Sequence, residues 1–484
     1  MSAPLPSATP QRGARGVIPI TPVQEPAVEA LYAAQQKIYP RSIAGVFSRW
    51  RWAMVWLTQL VFYGLPWLTW GDRPMVLFDL GARRFYLLGL VLYPQDFIYL
   101  TALLVISALS LFLFTAVAGR LWCGFTCPQT VYTEIFLWVE KKVEGDRSAR
   151  LRLDQGGWTA EKLRKKAIKQ LLWIAIAGWT GFTFVGYFVP IRTLAAELMA
   201  FQGSWQIFWV LFYGFATYGN AGYMREQVCK YMCPYARFQS AMFDKDTLVV
   251  SYHVARGDPR GARAKSVDHH AKGLGDCIDC KLCVQVCPTG IDIRDGLQYE
   301  CIGCGLCVDA CNNVMDKVGY ARGLIRFATQ NAVAQGWGTL QMLRRVLRPR
   351  VLIYATVLVA LTVAMVASLY QRTPLKVDVV RDRAALARLA PGGKLENVYR
   401  LQIMNATESP RSYRISATGL PGIEVASEPT AQVAPAQARW VAVRLQIPYD
   451  SQPPGSHPFQ FEVHAEDGAA SEVVHEKSVF LVPR

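Results

Sequence analysis

The sequence is poor in charged residues and lacks cysteine and histidine over long stretches. Of its 484 residues, 18% are charged and 52% are hydrophobic, whereas a water-soluble enzyme of this length usually carries more charge. No cysteine occurs in 312–484, and the six histidines all lie at position 253 or later. Because the long apolar segments described below contain no histidine, we exclude a membrane haem with two histidine ligands.

Several motifs of haem, nucleotide and transport proteins are also missing. The sequence has no C-x2-C-H motif, so we expect no c-type haem. It has neither a G-x-G-x-x-G fingerprint nor a phosphate-binding P-loop, so we expect no dinucleotide site and no ATP hydrolysis. The apolar segments contain no ionisable residue, which argues against a proton or cation pump.

Five apolar segments are long enough to cross a membrane as helices, since about 20 such residues span the hydrocarbon core. They are 52–70, 97–118, 170–190, 205–223 and 351–370. A buried core helix is the alternative for any one of them, but it explains five uncharged segments poorly. We therefore predict a multi-pass α-helical membrane protein with about five spans. A shorter apolar stretch at 85–93 cannot span, and we expect it to be re-entrant or on the outer surface.

The lysines and arginines predict the orientation, because loops rich in these residues stay in the cytoplasm. Of the 52, segments 1–51, 120–169 and 224–350 carry 6, 11 and 18, and the opposite loops 71–96 and 191–204 carry three and one. We therefore expect a bacterial inner-membrane protein whose N-terminus and cysteine-rich segment are cytoplasmic. The C-terminal 371–484 would then be periplasmic. The net charge of +16 is thus mainly a topology signal, and we expect no nucleic-acid partner.

Eight cysteines between positions 277 and 311 form two copies of C-x2-C-x2-C-x3-C, the ligand pattern of bacterial ferredoxins with two [4Fe–4S] clusters. In that pattern each cluster takes its fourth ligand from the other copy. The first cluster is predicted to use Cys277, Cys280, Cys283 and Cys311, and the second Cys301, Cys304, Cys307 and Cys287. A pair of zinc sites and a disulfide knot are the alternatives.

The other four cysteines form two C-x3-C-P motifs, Cys123 to Pro128 and Cys229 to Pro234. Each motif follows the cytoplasmic end of an even-numbered predicted span, which indicates an internal repeat and favours metal or redox chemistry over packing. Thiols at i and i+4 share a face if the helix continues, although each proline could instead begin a new helix. Four sulfur ligands favour Cu(I), zinc or iron–sulfur. Met232 could add a thioether, but a lone methionine at an interface is more often a packing residue.

We expect five parts along the chain. They are a flexible cytoplasmic tail (1–45), a four-span helical core with both C-x3-C-P motifs (46–240), a cytoplasmic ferredoxin-like segment with two clusters (241–345), a fifth transmembrane helix (346–372) and a periplasmic immunoglobulin-like β-sandwich (373–484). After the first motif, Thr130 to Lys142 is predicted as an amphipathic helix on the inner membrane face.

The sandwich is predicted from alternating apolar and polar residues between turns rich in proline and glycine. The predicted strands are 397–405, 411–418, 439–446, 457–464 and 472–482. We find no catalytic cluster there, and we interpret His457, His464 and His475 as surface or structural residues. A binding role is the simplest expectation for this domain.

This combination resembles the CcoG/FixG/RdxA family, accessory proteins for the assembly of cbb3-type cytochrome c oxidase. The resemblance covers roughly residues 40 to 484 and includes the strings Phe78-Asp-Leu-Gly-Ala-Arg-Arg-Phe85 and Tyr93-Pro-Gln-Asp-Phe97. It implies a polyferredoxin-like membrane protein that reduces Cu(II) to Cu(I) for oxidase maturation. The eight ferredoxin-type cysteines would then hold the clusters, and Cys123, Cys127, Cys229 and Cys233 would be the catalytic, copper-binding residues.

The partners expected from this resemblance are the lipid bilayer, subunits of a cbb3-type oxidase or copper chaperones and transporters, and an electron donor that the sequence does not identify. A homo-oligomer stays open. Two other functions also stay open. One is an electron-transfer subunit that oxidises membrane quinol, as in the NapH-like proteins, which share the four spans, the C-x3-C-P motifs and a ferredoxin segment. The other is a non-enzymatic scaffold for oxidase assembly.

Overall fold

A computed structural model of the chain describes residues 37–71, 73–264, 268, 271–382, 387–466 and 473–483. Most of the predicted flexible tail, residues 1–36, lies outside these ranges. Its last residues are held in place: the Tyr39 hydroxyl donates to the Asp154 carboxylate at 2.7 Å, and the Ser42 backbone N–H donates to Asp146 at 3.0 Å. The chain is thus fixed on its neighbours from Tyr39, ahead of the first helix.

Helices build the first half of the described chain. They are α1 (Val46–Gly64), α2 (Phe97–Ala118), α3 (Leu121–Phe125), α4 (Pro128–Glu144), α5 (Arg147–Gln155), α6 (Ala160–Val185), α7 (Ile191–Met199), α8 (Ser204–Tyr218) and α9 (Pro234–Ala241). Helices α6 and α8 approach closely because Gly181 has no side chain: a Cβ there would lie 2.3 Å from the Val210 carbonyl oxygen. Small residues commonly permit such approach between membrane helices.

Three helices are long and apolar enough to cross a membrane, namely Pro94–Ala118, Ala160–Val185 and Pro349–Tyr370. They fit a membrane protein. The other two predicted spans are helical but interrupted: α1 ends in a 3-10 turn at Leu65–Trp67, and α8 passes into a π-helical turn at Gly219–Met224. The count of five spans and the side of the membrane on which the clusters lie therefore stay predictions.

The cysteine-rich segment is small and mixed. Its elements are β6 (Val249–Tyr252), α10 (Val254–Gly257), α11 (Leu282–Gln285), α12 (Leu306–Val318), β7 (Ile325–Ala328), α13 (Gln330–Gln335) and α14 (Thr339–Arg344), and α15 (Pro349–Tyr370) follows. Strands β6 and β7 pair antiparallel, with Val249 opposite Ala328 and Tyr252 opposite Ile325. Apolar residues of β6, β7 and α12, including Val250 and Met315, form one buried core with several of the cysteines.

The C-terminal domain is a sandwich of two antiparallel sheets. Its strands are β8 (Leu375–Arg381), β9 (Arg388–Ala390), β10 (Lys394–Asn405), β11 (Arg411–Thr418), β12 (Glu424–Val425), β13 (Thr430–Val433), β14 (Ala438–Pro448), β15 (Gly455–Ala465) and β16 (Val473–Val482). One sheet has the order β12-β14-β10-β8 with β9 beside β10, and the other has the order β13-β11-β15-β16. Tyr399, Phe461 and Phe480 are fully buried between them. All five predicted strands are present within three residues at each end, except that residue 472 lies outside the described ranges.

The apolar stretch 85–93 belongs to a small extra sheet on this domain. Five short strands precede α2, namely β1 (Thr69–Trp70), β2 (Arg73–Pro74), β3 (Val76–Asp79), β4 (Arg84–Leu87) and β5 (Leu90–Leu92). Strands β3, β4 and β5 form a three-stranded sheet whose residues Leu77, Tyr86 and Val91 pack on Met404 and Ala436 of the sandwich. The stretch is thus not re-entrant, because the sandwich covers its apolar face.

Buried ion pairs fix the junction between the start of α2 and the start of the C-terminal domain. Asp96, just before α2, is 3% exposed and forms ion pairs with Arg372 at 2.7 Å and with Lys376. Farther along the same two helices, the Tyr99 hydroxyl donates to the Ser368 carbonyl oxygen at 3.2 Å. At their opposite ends Arg348 donates to the Ala116 carbonyl oxygen at 2.6 Å. Helices α2 and α15 are therefore tied together at both ends.

Candidate iron–sulfur and thiol centres

The first predicted set of cluster ligands surrounds one cavity. It is lined by Cys277, Cys280, Cys283 and Cys311, and by apolar residues of β7 and α12. The loop between the first three cysteines turns tightly, since Asp279 and Lys281 have positive φ angles of 52° and 54°. Arg294 secures the loop through an ion pair of 2.5 Å with Asp279. Cys280 is exposed, so this cavity reaches the protein surface.

The second predicted set surrounds a neighbouring cavity. It is lined by Cys287, Cys301, Cys304 and Cys307. Cys283 lines both cavities, so the two lie side by side. The loop that carries this set again turns through left-handed positions, here at Gly303 (φ 66°) and Gly305 (φ 73°). A side chain at Gly305 would lie 2.7 Å from the Phe47 ring, so this loop is also closely covered by α1.

The number of cysteines in the predicted set round each cavity matches the ligand number of a [4Fe–4S] cluster. Within the described ranges, no three cysteine, histidine or acidic side chains converge closely enough to hold one metal ion. A zinc site would require four sulfur atoms about 2.3 Å from one centre. A [4Fe–4S] cluster, in contrast, binds four thiolates around a cube of atoms, and each cavity is lined by the four cysteines of one predicted set. The residues present therefore fit two such clusters.

Burial makes the bare thiols weak acids. It raises the pKa of Cys301 and of Cys311 to about 12, and that of Cys283 to about 11. At neutral pH these groups would be protonated without a metal. Metal ligation requires the thiolate, so cluster binding must release protons here and must stabilise the thiolates that it creates.

The C-x3-C-P cysteines are not arranged as consecutive turns of a helix. Cys123 lies in α3, but Cys127 and Cys233 have extended backbones directly before Pro128 and Pro234, which begin α4 and α9. Cys229 lies in a second π-helical turn, Val228–Met232. The condition under which i and i+4 would share one helical face, a helix that continues through both cysteines, is therefore not met. The alternative, that each proline begins a new helix, is confirmed, and α4 also contains the amphipathic helix predicted at 130–142.

All four of these thiols nevertheless lie near one another. Burial raises the pKa of Cys229 to about 12, and the charges of Cys127, Cys123 and Cys233 add to this shift. The Cys123 thiol donates to the side-chain oxygen of the buried Gln239 at 3.2 Å. Met232, in contrast, is 56% exposed. It is therefore not packed into this buried group, which argues against its being a ligand. The repeat thus forms one sulfur-rich group from two distant parts of the chain.

Buried salt bridges hold the second motif against the first. Glu140 of α4 is 1% exposed and accepts hydrogen bonds from Arg225 at 2.7 Å and from Arg150 at 2.8 Å. Arg225 lies between the two π-helical turns that lead to Cys229. Breaking a buried pair of this kind leaves an uncompensated charge, which is strongly unfavourable. The pair therefore helps to bring the second motif to α4, which begins at the first.

Arg120 lies between the thiol group and the second cluster cavity. Its side chain is 4% exposed; burial lowers its pKa, while the charges of Cys123, Cys301 and Cys229 act in the opposite direction. One guanidinium nitrogen donates to the Tyr299 carbonyl oxygen, and in the described part of the chain two others have no hydrogen-bond partner. A buried cation favours nearby anions, so Arg120 stabilises thiolates on both sides. Sequence reasoning counted it only as a topology signal at the end of a span.

The two centres are in direct contact through the backbone. Cys123 packs in the same small core as Ile302 and Cys304. Next to it, a Cβ on Gly124 would lie 2.8 Å from the Cys304 Cα atom. The Gly124 carbonyl oxygen accepts a hydrogen bond of 3.1 Å from Arg51 of α1. No side chain therefore separates the thiol group from the second cluster cavity at this point.

Family profiles assign iron–sulfur binding to both regions. Residues 224–330 match a "4Fe-4S dicluster domain", and residues 100–144, which include the first C-x3-C-P motif, match a "4Fe-4S binding domain". Residues 365–483 match the "IG-like fold at C-terminal of FixG". These matches confirm the predicted ferredoxin-like dicluster segment and the immunoglobulin-like domain. They support iron–sulfur clusters as cofactors; which cysteine binds which cluster stays a prediction.

Curated relatives match over most of the chain. The nitrogen fixation protein FixG of Rhizobium meliloti is 39% identical and covers 81% of this chain and 81% of its own length. Protein RdxA of Cereibacter sphaeroides is 37% identical over 89% of this chain and 92% of its own, and protein RdxB of that organism is 36% identical over 93% and 97%. A crystal structure of a FixG-related protein from Vibrio parahaemolyticus, 25% identical, covers 22% of this chain and 95% of that chain with a TM-score of 0.20. With these matches and its apolar helices, the chain belongs to the FixG/RdxA family of membrane iron–sulfur proteins.

Proposed function

We propose that the protein is a membrane oxidoreductase that passes electrons from two [4Fe–4S] clusters to Cu(II) and so supplies Cu(I) for the assembly of cbb3-type cytochrome c oxidase. One observation carries this proposal: the thiol group of the C-x3-C-P motifs lies directly against the second cluster cavity, where Gly124 meets Cys304. A reducing centre and a sulfur-rich site for a soft metal are thereby adjacent, with Arg120 buried between them.

The proposed ligand sets follow the two cavities. Cys277, Cys280, Cys283 and Cys311 would hold the first cluster, and Cys287, Cys301, Cys304 and Cys307 the second. When bound, the clusters supply one-electron redox chemistry close to the thiol group. The chain itself excludes water from the second set, where Cys304 is buried, and Arg120 favours electron arrival by compensating the added negative charge.

Copper is the substrate in this proposal. Cys123, Cys127, Cys229 and Cys233 would bind it, since soft thiolates favour Cu(I) over harder ions. Among the described residues no three such side chains converge on one ion position, so these thiols would move together when the ion binds. Each Cu(II) ion takes one electron and becomes Cu(I), while one reduced cluster returns to its oxidised state. Arg120 would stabilise the negative charge that several thiolates place on the bound Cu(I) ion.

The proposed setting is the bacterial inner membrane with the clusters and thiols on the cytoplasmic side and the immunoglobulin-like domain in the periplasm. The exported domain would then be the part that meets oxidase subunits or copper-delivery proteins. Support for this orientation comes from the charge distribution, since the cysteine-containing loops carry most of the lysine and arginine.

The central test is a copper reduction assay with the purified, detergent-solubilised chain. Anaerobic protein is reduced with dithionite, freed of excess reductant and mixed with Cu(II) and a Cu(I)-specific chelator. Wild-type protein is expected to form Cu(I) in proportion to its reduced clusters. The variant with Cys123, Cys127, Cys229 and Cys233 all changed to Ala is expected to lose most of this rate, because the soft binding site is gone. Met232→Leu in the second motif is the matched control and should react as wild type.

Iron content separates a lost copper site from lost clusters. Two [4Fe–4S] clusters correspond to about eight irons per chain, and the four-alanine variant should keep that content and its low-temperature EPR spectrum when reduced. Full Cu(II) reduction by that variant would contradict the role of the thiol group. In cells that lack the protein, loss of oxidase activity with no response to added copper would favour a scaffold instead.

A further inference from the structure

Two neighbouring cavities lie between the helices beside the thiol group. The wide cavity is about 1080 Å³ and is lined by α1, α4 and α6, with four tryptophans, Trp52, Trp56, Trp138 and Trp179, in its wall. The narrow cavity is about 310 Å³ and lies between α1, α4, α6 and α8. Gln59 of α1 lines both. Both volumes lie near the range of ligand sites in proteins, about 300–1,000 Å³.

The boundary between the cavities is polar although their walls are apolar. The Tyr63 hydroxyl, at the wide cavity, lies 2.9 Å from the Thr180 hydroxyl and 3.5 Å from the Tyr132 hydroxyl, both at the narrow cavity. The Gln59 side-chain oxygen is buried there and has no hydrogen-bond partner in the described part of the chain. An unpaired buried acceptor is unfavourable, so this oxygen is suited to a ligand that donates a hydrogen bond.

The same boundary lies close to the redox centres. Thr126 and Pro128, which flank Cys127, line the narrow cavity. Arg51, two helical turns before Gln59 on α1 and roughly 12 Å away along the axis, donates to the Gly124 carbonyl oxygen beside Cys304. A molecule at Gln59 is thus close to both the thiol group and the second cluster cavity.

We propose that these cavities bind a membrane quinol, and that the quinol is the electron donor of the protein. This inference rests on the proposed function and names its donor. The quinol hydroxyl would donate to the Gln59 side-chain oxygen, and the Tyr63 hydroxyl would turn its proton from the Thr180 hydroxyl oxygen to the quinol ring oxygen. The isoprenoid tail would lie along the wide cavity, whose Trp56 and Leu60 are 63% and 67% exposed and would face lipid if α1 crosses the membrane. A lipid acyl chain would leave the Gln59 side-chain oxygen unpaired in hydrocarbon, so it fits this boundary less well.

The reaction balances as a two-electron oxidation. The quinol loses two electrons and two protons and becomes a quinone. Each [4Fe–4S] cluster takes one electron, and the protons pass to water at the cytoplasmic mouth of the wide cavity, where Lys141 and Lys142 lie. The two reduced clusters then reduce two Cu(II) ions to two Cu(I) ions.

The test follows cluster bleaching when anaerobic, oxidised full-length protein in nanodiscs is mixed with decylubiquinol. Wild-type protein is expected to be reduced, with quinone formed at one equivalent per two electrons. Gln59→Leu should slow quinol-driven reduction at least about tenfold, the effect of one lost hydrogen bond to a buried group, and Tyr63→Phe should slow it as well. The matched control is Gln170→Leu, because Gln170 lies on α6, bonds Tyr218 and Tyr223 and lines neither cavity.

Dithionite-driven Cu(II) reduction is measured on the same samples. This second assay distinguishes failure of the quinol proposal from failure of the proposed copper reduction. The rate of that reduction should be unchanged in Gln59→Leu. The quinol proposal is overturned if Gln59→Leu and Tyr63→Phe react with quinol as fast as wild type, which would mean that the cavities hold only lipid. It is also overturned if quinol never reduces the wild-type clusters while a soluble low-potential donor such as reduced flavodoxin does so. Loss of dithionite-driven Cu(I) formation in wild type would instead remove the proposed function.

Discussion

At the scale of single residues, the link between the two centres depends on side chains that are small or charged. Gly124 allows the thiol group to approach the second cluster loop, because any Cβ there would overlap the Cys304 backbone at 2.8–2.9 Å. Arg120 is a buried charge on which both Cys123 and Cys301 act. Neither residue is a predicted cluster ligand, but both affect how closely the thiol group approaches the second cluster cavity.

Gly124→Ala should destabilise this contact. The added methyl group must displace backbone atoms of Cys304, and overpacking of this kind typically costs about 1–3 kcal/mol, more than alanine gains in helix propensity. We expect a lower melting temperature and a loss of iron on gel filtration. Gly178→Ala in α6 is the control, since nothing lies within 4 Å of its added Cβ. Equal iron content and stability in both variants would show that the contact is loose.

The residue scale also shows what spacing can and cannot predict. The cysteine spacing predicted which thiols surround each cavity, because ligand geometry is local and the pattern fixes it. The role of Arg120 could not be predicted in the same way, because it depends on Cys301, 181 residues later in the chain. The four-thiol group was predicted from repetition, but its backbone was not: π-helical turns such as Val228–Met232 leave no clear periodic signal.

At the scale of elements, the small sheet β3–β4–β5 lies between α1 and α2 in the chain and packs on the immunoglobulin-like domain. Its strands were missed because each has only three or four residues and their apolar face is covered by Met404 and Ala436, more than 300 positions away. Strands β10, β11, β14, β15 and β16 were predicted because each alternates over a longer run between clear turns. The short or edge strands β9, β12 and β13, and β8 directly after α15, were not predicted, since their patterns are too brief or merge with the helix.

Asp96→Asn should loosen the junction between this sheet and the sandwich. Arg372 and Lys376 would lose their buried counter-ion, and breaking such a pair costs about 3–5 kcal/mol. Hydrogen exchange is expected to rise in 76–92 and to stay low in the sandwich core around Tyr399. Glu408→Gln is the control, because Glu408 pairs with Arg73 at 46% side-chain exposure and surface pairs contribute at most about 1 kcal/mol. Unchanged exchange in Asp96→Asn would mean that apolar packing alone holds the sheet.

At the scale of the whole molecule, the order of parts along the chain matches the prediction more closely than the details of the spans do. The family profiles match the ferredoxin-like segment at residues 224–330 and the immunoglobulin-like fold at residues 365–483, while the predicted domain boundaries stay predictions. Three helices meet the length and composition of a span, and the interruptions in α1 and α8 arise from a 3-10 turn and a π-helical turn that hydropathy does not reveal.

Reporter fusions should establish the sidedness. Alkaline phosphatase joined after Arg484 is expected to be active, and green fluorescent protein at the same place should be dark, because we propose that this end is periplasmic. Fusions after Arg345, ahead of α15, should give the opposite pair of results. Phosphatase activity at both positions would contradict a crossing by α15 and would place the clusters outside.

Helices α2 and α15 are coupled so that they would move as one rigid pair. They are tied by Arg348 and Ala116 at one end and by Asp96 and Arg372 at the other, so neither can slide without the other. Helix α2 ends five residues before Cys123, whereas α15 leads directly into β8. Force on the immunoglobulin-like domain would therefore displace α15 and α2 together, and the displacement would reach the segment that carries Cys123.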